Sequence, residues 1–309
     1  LGGNLNQIYY LTGDDDPQRL LRDLRSRVLG HPGIEVFTDS ELTAHSGYTG
    51  AFRTTLCTPQ GVVEVEHGVT IVATGGQAGQ DRLFLFGEDE RVITSVDLEE
   101  IIAHRPERIA DLKEIVFIQC VGRVGKLDYC SRTCCTNAMK NAIRIKQINP
   151  DCRVVVLYKD IVTYGFREQY YTEARELGVL FVRYDDAHMP EVRVTPAADG
   201  RRLEVAVWEP SLKQEILLHP DLLALSMAIR PSEGAAKLAR ILDVPISDVG
   251  FFRESHIKMR PMDFHKEGVY VCGVAHAPKF IEECISNAQA AAGRAITVLA
   301  TLYPARQAA

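Results

Sequence analysis

The apolar run Ile115-Val-Phe-Ile118 begins the stretch of sequence that decides the fold, because it leads into a segment with four cysteines and then into a helix. Strands and helices alternate regularly over this stretch. The predicted elements are a strand at Ile115-Val-Phe-Ile118, a helix over residues 134–147, a strand at Arg153-Val-Val-Val-Leu-Tyr158, a helix over residues 166–177 and a strand at Val179-Leu-Phe-Val-Arg-Tyr184. Such alternation implies right-handed crossovers and a parallel sheet.

When the rest of the chain is included, the same plan occurs twice: strands and helices of a nucleotide-binding fold, each time with a meander. The further predicted elements are strands at residues 34–37, 52–57, 62–66 and 69–76, a meander over 191–208, a strand over 222–226, and a strand over 268–273 that precedes an Ala-rich helix over 279–302. The predicted fold class is therefore α/β, with two nucleotide-binding-type domains. Each is Rossmann-like and three-layered and contains a β-meander, as in FAD/NAD-linked reductases.

The domain boundaries are predicted from where these two patterns change. Residues 1–112 together with 264–309 are expected to form a discontinuous FAD-binding-type domain. Residues 113–263 are expected to form an NAD-type domain that contains the cysteine cluster.

The composition is that of a globular protein. The chain has 309 residues, 46% apolar and 25% charged, and its net charge of −6 gives no general indication of nucleic-acid binding. No apolar run reaches the ~18 residues that span a bilayer. We expect cytoplasmic localisation, because no signal peptide precedes the fold. The start at Leu1-Gly2-Gly3, without Met, indicates a piece of a longer protein.

One window is basic, although the chain is acidic overall. Between Cys120 and Lys146 a single acidic residue, Asp128, stands against six basic ones: Arg123, Lys126, Arg132, Lys140, Arg144 and Lys146. Either these residues form a solvated helix face, or they compensate a negatively charged centre or an anionic ligand.

The cysteines Cys120, Cys130, Cys134 and Cys135 have the spacing C-x9-C-x3-C-C. Four thiolates are the usual ligand set of a [4Fe–4S] cluster. Neighbouring side chains on a helix diverge by about 100°. Cys134 and Cys135 can therefore reach one centre only if the backbone is distorted at the helix entry.

Three other interpretations of these cysteines stay open. They could hold a structural zinc ion, although paired C-x2-C knuckles are absent. Cys130 and Cys134 could form a catalytic dithiol, or the thiols could simply be buried. The segment stands where a Rossmann domain has its G-x-G-x-x-G turn. We therefore hypothesise that a cluster occupies the place of a nicotinamide dinucleotide.

Two segments have features of flavin half-sites. Thr74 and Gly75 belong to an Ala-Thr-Gly-Gly turn after a buried strand, similar to the ATG turn of two-dinucleotide-domain flavoproteins. Gly273 ends a strand, and His276 and Lys279 precede a long helix whose positive end would favour negative charge on a reduced flavin. The alternative for His276 and Lys279 is an ordinary solvated loop.

Several segments resemble the A-type subunit of heterodisulfide reductase and its bacterial relatives over residues 2–296. They are Phe117-Ile-Gln-Cys-Val-Gly122, Tyr129-Cys-Ser-Arg-Thr-Cys-Cys135, Asp160-Ile-Val-Thr-Tyr-Gly-Phe166, Gly178-Val-Leu-Phe-Val-Arg-Tyr184 and Cys272-Gly-Val-Ala-His-Ala-Pro-Lys-Phe-Ile-Glu-Glu283. The resemblance implies an oxidoreductase with FAD and a [4Fe–4S] cluster on the four cysteines. It also implies electron transfer within a multi-subunit complex, with ferredoxin or hydrogenase-type electron carriers as partners.

The chain departs from the family pattern in three places. The N-terminal Gly-rich FAD motif is absent, and so is a C-x2-C-x2-C-x3-C ferredoxin motif. Ala228 stands where the family usually has glycine. We expect an electron-transfer flavoprotein core; the alternatives are a flavin-dependent dithiol/disulfide reductase and a cofactor-free structural domain with a zinc site. No catalytic residue is assigned from the sequence.

Overall fold

The computed structural model describes residues 1–13, 15–123, 127, 129–197 and 200–304. Helices within these ranges are α1 (Pro17–Leu29), α2 (Ser95–His104), α3 (Glu107–Ala110), α4 (Cys134–Ile148), α5 (Glu168–Glu176), α6 (Ala235–Leu242) and α7 (Ile281–Leu302). The strands are β1 (Glu41–Tyr48), β2 (Ala51–Thr58), β3 (Gly61–His67), β4 (Thr70–Val72), β5 (Gly76–Ala78), β6 (Val92–Thr94), β7 (Glu114–Val121), β8 (Arg153–Tyr158), β9 (Leu180–Arg183), β10 (Glu191–Ala197), β11 (Gly200–Glu209), β12 (Gln214–Leu218), β13 (Leu222–Met227), β14 (Ile229–Pro231) and β15 (Val269–Val271).

The chain divides into two compact units. Unit 1 comprises Leu1–Asp23 and Ala78–Ala228, and unit 2 comprises Leu24–Gln77 and Ile229–Ala309. Each unit combines parallel strand pairing with an antiparallel meander, which confirms the predicted α/β fold class.

Unit 1 is built around a five-stranded parallel sheet with the order β6-β13-β7-β8-β9. On one face, Ile115 and Phe117 of β7 pack in a core with residues of α2, α4 and α5. On the other face, Val116 and Ile118 pack with the meander β10-β11-β12. The run 115–118 is apolar throughout because its strand is covered on both sides.

Unit 2 contains the meander β1-β2-β3 and two short strand pairs, β4 with β15 and β5 with β14. Val269 and Val271 of β15 pack with Phe52 of β2 and with α6. Tyr270, which points to the opposite face, packs with Ala291 and Ala295 of α7. Helix α7 thus covers one side of the parallel pair, and α6 and the meander cover the other.

The boundaries of the units differ from those predicted at residues 112/113 and 263/264. Residues 78–112 belong to unit 1 because β6 pairs in parallel with β13 and α2 packs on the same sheet. Residues 229–263 belong to unit 2, where α6 packs on β15. The assignment of a cofactor to each domain stays a prediction.

Most predicted elements are present, and one is wrong. Residues 34–37 form no strand, and the first strand of the meander is instead β1, which begins at Glu41. The strands predicted over 69–76 and 268–273 are each only three residues long, β4 and β15. Among the described residues, no helix is both long enough and apolar enough to cross a membrane.

His45 on β1 is expected to make the stability of the protein acid-sensitive. Its Nε2 lies 3.2 Å from Thr70 Oγ1, whereas Nδ1 is buried without a partner among the described residues. Burial, followed by the charge of Lys266, lowers the pKa of His45 from 6.5 to about 4. The folded pKa of His45 is below the unfolded one, so the unfolded chain takes up the proton first on acidification. The contribution of His45 to the free energy of unfolding is therefore fully present above pH 6.5 and is lost as the pH falls to about 4.

The variant His45→Gln should therefore show a smaller loss of unfolding free energy on acidification than the wild type. The measurement is urea unfolding of both proteins at about pH 7.5 and about pH 5. Equal losses in the two proteins would contradict the assignment to His45.

Candidate functional site

The four predicted cysteine ligands line one cavity in unit 1. Cys120 lies near the carboxyl end of β7, Cys130 lies in the following connection, and Cys134 and Cys135 begin α4. The other lining residues are Arg123, Tyr129, Ser131, Asp160, Ser226 and Ala228. The cavity stands at the carboxyl edge of a parallel sheet, where α/β domains bind their ligands.

The backbone bends sharply at one residue that lines this cavity and at one residue between two that line it. Cys120 has φ +60° and Arg132 has φ +63°, both in the left-handed region that residues other than glycine seldom adopt. Arg132 stands two residues before α4, so the chain is distorted at the helix entry. The sequence predicted such a distortion if Cys134 and Cys135 were to reach one centre.

The thiols perturb each other's protonation. A hydrogen bond from the Cys134 thiol is the main cause that lowers the pKa of Cys135 to about 7. The same hydrogen bond and burial raise the pKa of Cys134, and burial raises that of Cys120. Of these three thiols, Cys135 therefore ionises most readily, and a metal that binds them would release the protons that they still carry.

Two basic residues of the predicted window contact the cysteine segment. The backbone N–H of Arg132 donates to Cys130 Sγ at 3.2 Å, and Arg123 forms an ion pair of 2.9 Å with Asp160. The carbonyl oxygen of Asp160 in turn lies 3.6 Å from Cys135 Sγ. Asp160 thus links the second strand–helix connection to the cysteine cavity.

The other basic residues of the window act elsewhere. Lys140 is buried and pairs with Glu99 at 2.7 Å, and Lys146 donates to the carbonyl of Cys152 at 3.0 Å. Arg144 donates to Gln147 on the surface of α4. Lys126 and Asp128 lie outside the described residues. The window is therefore neither one solvated face nor one ligand-facing cluster.

The donor atoms suit an iron–sulfur cluster in number and chemistry, because four thiols border a single cavity. Within the described ranges, no group of three or more His, Cys, Asp and Glu side chains is arranged to hold a metal ion. The fit to a cluster therefore rests on the donor chemistry, and the four-cysteine ligand set stays a prediction.

The predicted flavin residues lie together in unit 2. Thr74 and Gly75 follow β4, and Gly273 follows β15, which is paired with β4 in parallel. Both turns therefore stand at the same edge. Gly75 has φ +73° with open space where a Cβ would be, and Gly273 has φ +64°. At Gly75 and Gly273 the backbone thus carries no side chain, as close approach to a ligand requires.

His276 connects Lys279 to a carboxylate. Its Nε2 lies 2.8 Å from Glu254 Oε2, and its Nδ1 lies 3.0 Å from Lys279 Nζ. The consistent assignment is a neutral imidazole that donates to Glu254 and accepts from the Lys279 ammonium. Burial, followed by the charge of Lys279, lowers the pKa of His276, which supports the neutral form.

The amino end of α7 is already partly capped. The carboxylate of Glu283 accepts the N–H of Phe280 at 2.8 Å, and Glu282 also lies in the first turn. These acidic groups offset part of the positive helix end. The macrodipole effect that the sequence interpretation expects at this helix end is therefore reduced.

Sequence reasoning did not single out three residues of these sites. Asp160 and Ser226 line the cysteine cavity, and Glu254 pairs with His276. Asp160 opens one of the family-like segments, which is a signal that could have identified it. Glu254 lies 22 positions from His276, and no sequence pattern connects the two.

Known proteins are similar in sequence to a large part of this chain. No family model matches the chain. The A-type subunit of the ferredoxin:CoB-CoM heterodisulfide reductase of Methanosarcina acetivorans is 32% identical over an alignment of 277 positions, which covers 76% of this chain and 34% of that protein. The A-type iron–sulfur subunit of the CoB–CoM heterodisulfide reductase of Methanocaldococcus jannaschii is 37% identical over 222 residues, covering 67% of this chain and 33% of that protein.

Solved structures share the fold. A thioredoxin reductase of T. acidophilum superimposes with a TM-score of 0.60 at 13% identity, covering 97% of this chain and 86% of the other. The chain spans about a third of the length of the two curated relatives described above. With 31–37% identity to several such proteins over about three quarters of its length, the chain belongs to the family of heterodisulfide reductase A-type subunits.

Proposed function

We propose that this chain is an electron-transfer flavoprotein core that passes electrons between FAD and one [4Fe–4S] cluster. The observation that carries the proposal is the convergence of Cys120, Cys130, Cys134 and Cys135 on one cavity at the start of α4. When bound, the cluster would accept and release single electrons, and FAD would exchange electron pairs.

The residues of the cysteine cavity would hold the cluster and compensate its charge. The four thiols would lose their protons on binding, and the pKa of about 7 at Cys135 would favour its thiolate form. The Arg132 N–H, which donates to Cys130 Sγ, and the nearby Arg123 guanidinium would favour negative charge there. The amino end of α4, without an acidic residue in its first turn, adds to this effect.

The turns of unit 2 would hold the flavin. The backbone of Thr74, Gly75 and Gly273 would border the ribityl and pyrophosphate groups. The Lys279 ammonium, held through His276, would lie near the ring and favour negative charge on it. In this proposal unit 1 contributes the cluster and unit 2 contributes the flavin turns.

The proposed setting is a cytoplasmic complex like heterodisulfide reductase. The name of the Methanosarcina acetivorans relative includes ferredoxin, and that of a Methanothermobacter marburgensis relative includes H₂. Accordingly, we expect other subunits of such a complex, and ferredoxin or hydrogenase-type electron carriers, as partners. The sign of the net charge and the family both argue against a nucleic-acid partner.

One observation favours a second function, a flavin-dependent dithiol/disulfide reductase. The sequence suggested Cys130 and Cys134 as the dithiol, whereas the electrostatics favour Cys134 and Cys135. The thiols of Cys134 and Cys135 are hydrogen-bonded and one has a pKa of about 7, which is the asymmetry of a reactive thiol pair. In that case alkylation of protein without iron would modify two more thiols after mild reduction than before it. A cluster would protect all four.

The test is the iron, sulfide and flavin content, with an EPR spectrum, of protein purified without oxygen. The proposal expects about four irons per chain and a signal that appears on reduction. Zinc, or thiols without metal, would contradict it and favour the structural site or the dithiol. Flavin is measured separately, so that loss of the flavin half does not obscure the result for the cysteine site.

A further inference from the structure

Gln119 has a fully buried side-chain amide that makes no hydrogen bond within the part of the chain that the structure describes. Its exposed fraction is 0%, and neither Nε2 nor Oε1 bonds to any described residue. Buried side-chain amides are nearly always satisfied, because an unpaired polar group loses its bonds to water. An amide that no described residue satisfies indicates a partner beyond them, such as a bound group.

The strand that contains Gln119 directs it towards the start of α4. Side chains alternate along β7, and Ile115 and Phe117 pack with Ala138 and Ala142 of α4. Gln119, two positions further, lies on the same face and nearer the carboxyl end. Since a crossover helix runs opposite to its strands, that end faces the first turn of α4, which contains Cys134 and Cys135.

The neighbouring strand places Gln119 in the same region. Ile118 pairs with Leu225 and Val121 with Met227, so that Ser226 of β13 stands opposite Gln119 and Cys120 at an irregularity in the pairing. Ser226 lines the cysteine cavity. The preceding residues of that face, Leu222 and Ala224, belong to the same core as Ile115 and Phe117. Gln119 is therefore flanked by elements of the cavity on both sides.

The backbone at Gln119 is held in place. Its carbonyl accepts a hydrogen bond of 2.5 Å from the buried hydroxyl of Tyr184. The next residue, Cys120, has the left-handed φ of +60°, which turns the chain from the strand into the cysteine segment. The amide thus extends from a fixed strand end next to a proposed ligand.

We propose that the Gln119 carboxamide donates a hydrogen bond from Nε2 to a sulfur of the cluster, either a cysteine thiolate or an inorganic sulfide. This inference rests on the proposed function. The bond stabilises the more negative, reduced cluster, because hydrogen bonds to the sulfurs are among the determinants of cluster potential. Gln119 is then a residue that tunes the cluster and does not ligate it.

The test compares Gln119→Met, which keeps the length of the side chain and removes the donor, with the wild type. The cluster potential of the variant should fall, with the equilibrium constant for reduction lowered on the order of tenfold, ~59 mV for a one-electron couple. The protein without cluster should unfold at the same or a higher denaturant concentration, because an unpaired buried amide has been removed.

Ser247→Ala is the matched control. It also removes a buried polar atom that has no hydrogen-bond partner among the described residues, but from unit 2. Its cluster potential should equal that of the wild type. An unchanged potential in Gln119→Met with full iron would overturn the role of Gln119 and leave the proposed function intact. Destabilisation of the cluster-free variant would also overturn it, because that indicates a structural role.

A second measurement needs no variant. Protein with ¹⁵N in its glutamine side-chain amides should show a ¹⁵N hyperfine coupling to the reduced cluster, and its absence would overturn the proposal. Wild-type protein without iron would overturn this inference and the proposed function together.

Discussion

The variant Cys134→Ser, purified without oxygen, is expected to lose most of its iron. The wild type should hold about four irons per chain, and a serine hydroxyl is a poor replacement for a thiolate ligand. Cys134 lies at the first position of α4, and its pKa responds to Cys120, Cys130 and Cys135. Its removal should therefore disturb the whole ligand set. Iron and sulfide assays with EPR make the measurement.

Cys57→Ser is the control for this experiment. Cys57 is an exposed free cysteine on β2, in unit 2, and its loss should leave the iron content unchanged. Circular dichroism of both variants shows whether each is folded. Full iron in folded Cys134→Ser would contradict its assignment as a ligand, and equal loss in both variants would indicate nonspecific damage.

The variant Lys140→Met is expected to lower the free energy of unfolding by about 3–5 kcal/mol. Lys140 and Glu99 form a 2.7 Å ion pair whose side chains are 7% and 1% exposed. Removal of the lysine leaves the Glu99 carboxylate buried, with the Tyr9 N–H and the Asn137 amide as its remaining donors among the described residues. Urea unfolding at neutral pH makes the measurement.

The double variant Glu99→Leu/Lys140→Met separates the loss of the pair from the burial of a lone charge. Hydrophobic residues of similar size often replace a buried ion pair at little cost. The double variant should therefore recover most of the stability that the single variant loses. A loss below about 1 kcal/mol in Lys140→Met would mean that Glu99 takes up a proton or is solvated.

The alternation of strands and helices over residues 115–184 could be predicted from the sequence. Continuous apolar runs separated by amphipathic helices leave few topologies other than a parallel sheet. The meander strands near residues 52–57 and 62–66 were also predictable, since their turn residues are local signals. The wrong strand at 34–37 shows the limit of this reasoning, because an extended run becomes a strand only where a neighbour pairs with it.

The two sites differ in how much of them the sequence predicts. The cysteine spacing and the glycines at strand ends are local patterns, so all nine candidate residues could be named in advance. Their surroundings could not. The sequence places Lys140 in the basic window between Cys120 and Lys146. In the structure its charge is instead paired with Glu99 in the core of unit 1. Such pairs form between residues far apart in the chain.

The sequence alone determined the fold class, the family and the chemistry of the candidate ligands, because periodicity, glycine positions and cysteine spacing are properties of neighbouring residues. Only the tertiary structure decided that residues 78–112 join the sheet of unit 1, that Glu254 holds His276, and that Gln119 is buried without a partner among the described residues. The physical reason is common to all three. Strand pairing, ion pairing and burial depend on which distant segments meet, and no local pattern specifies that.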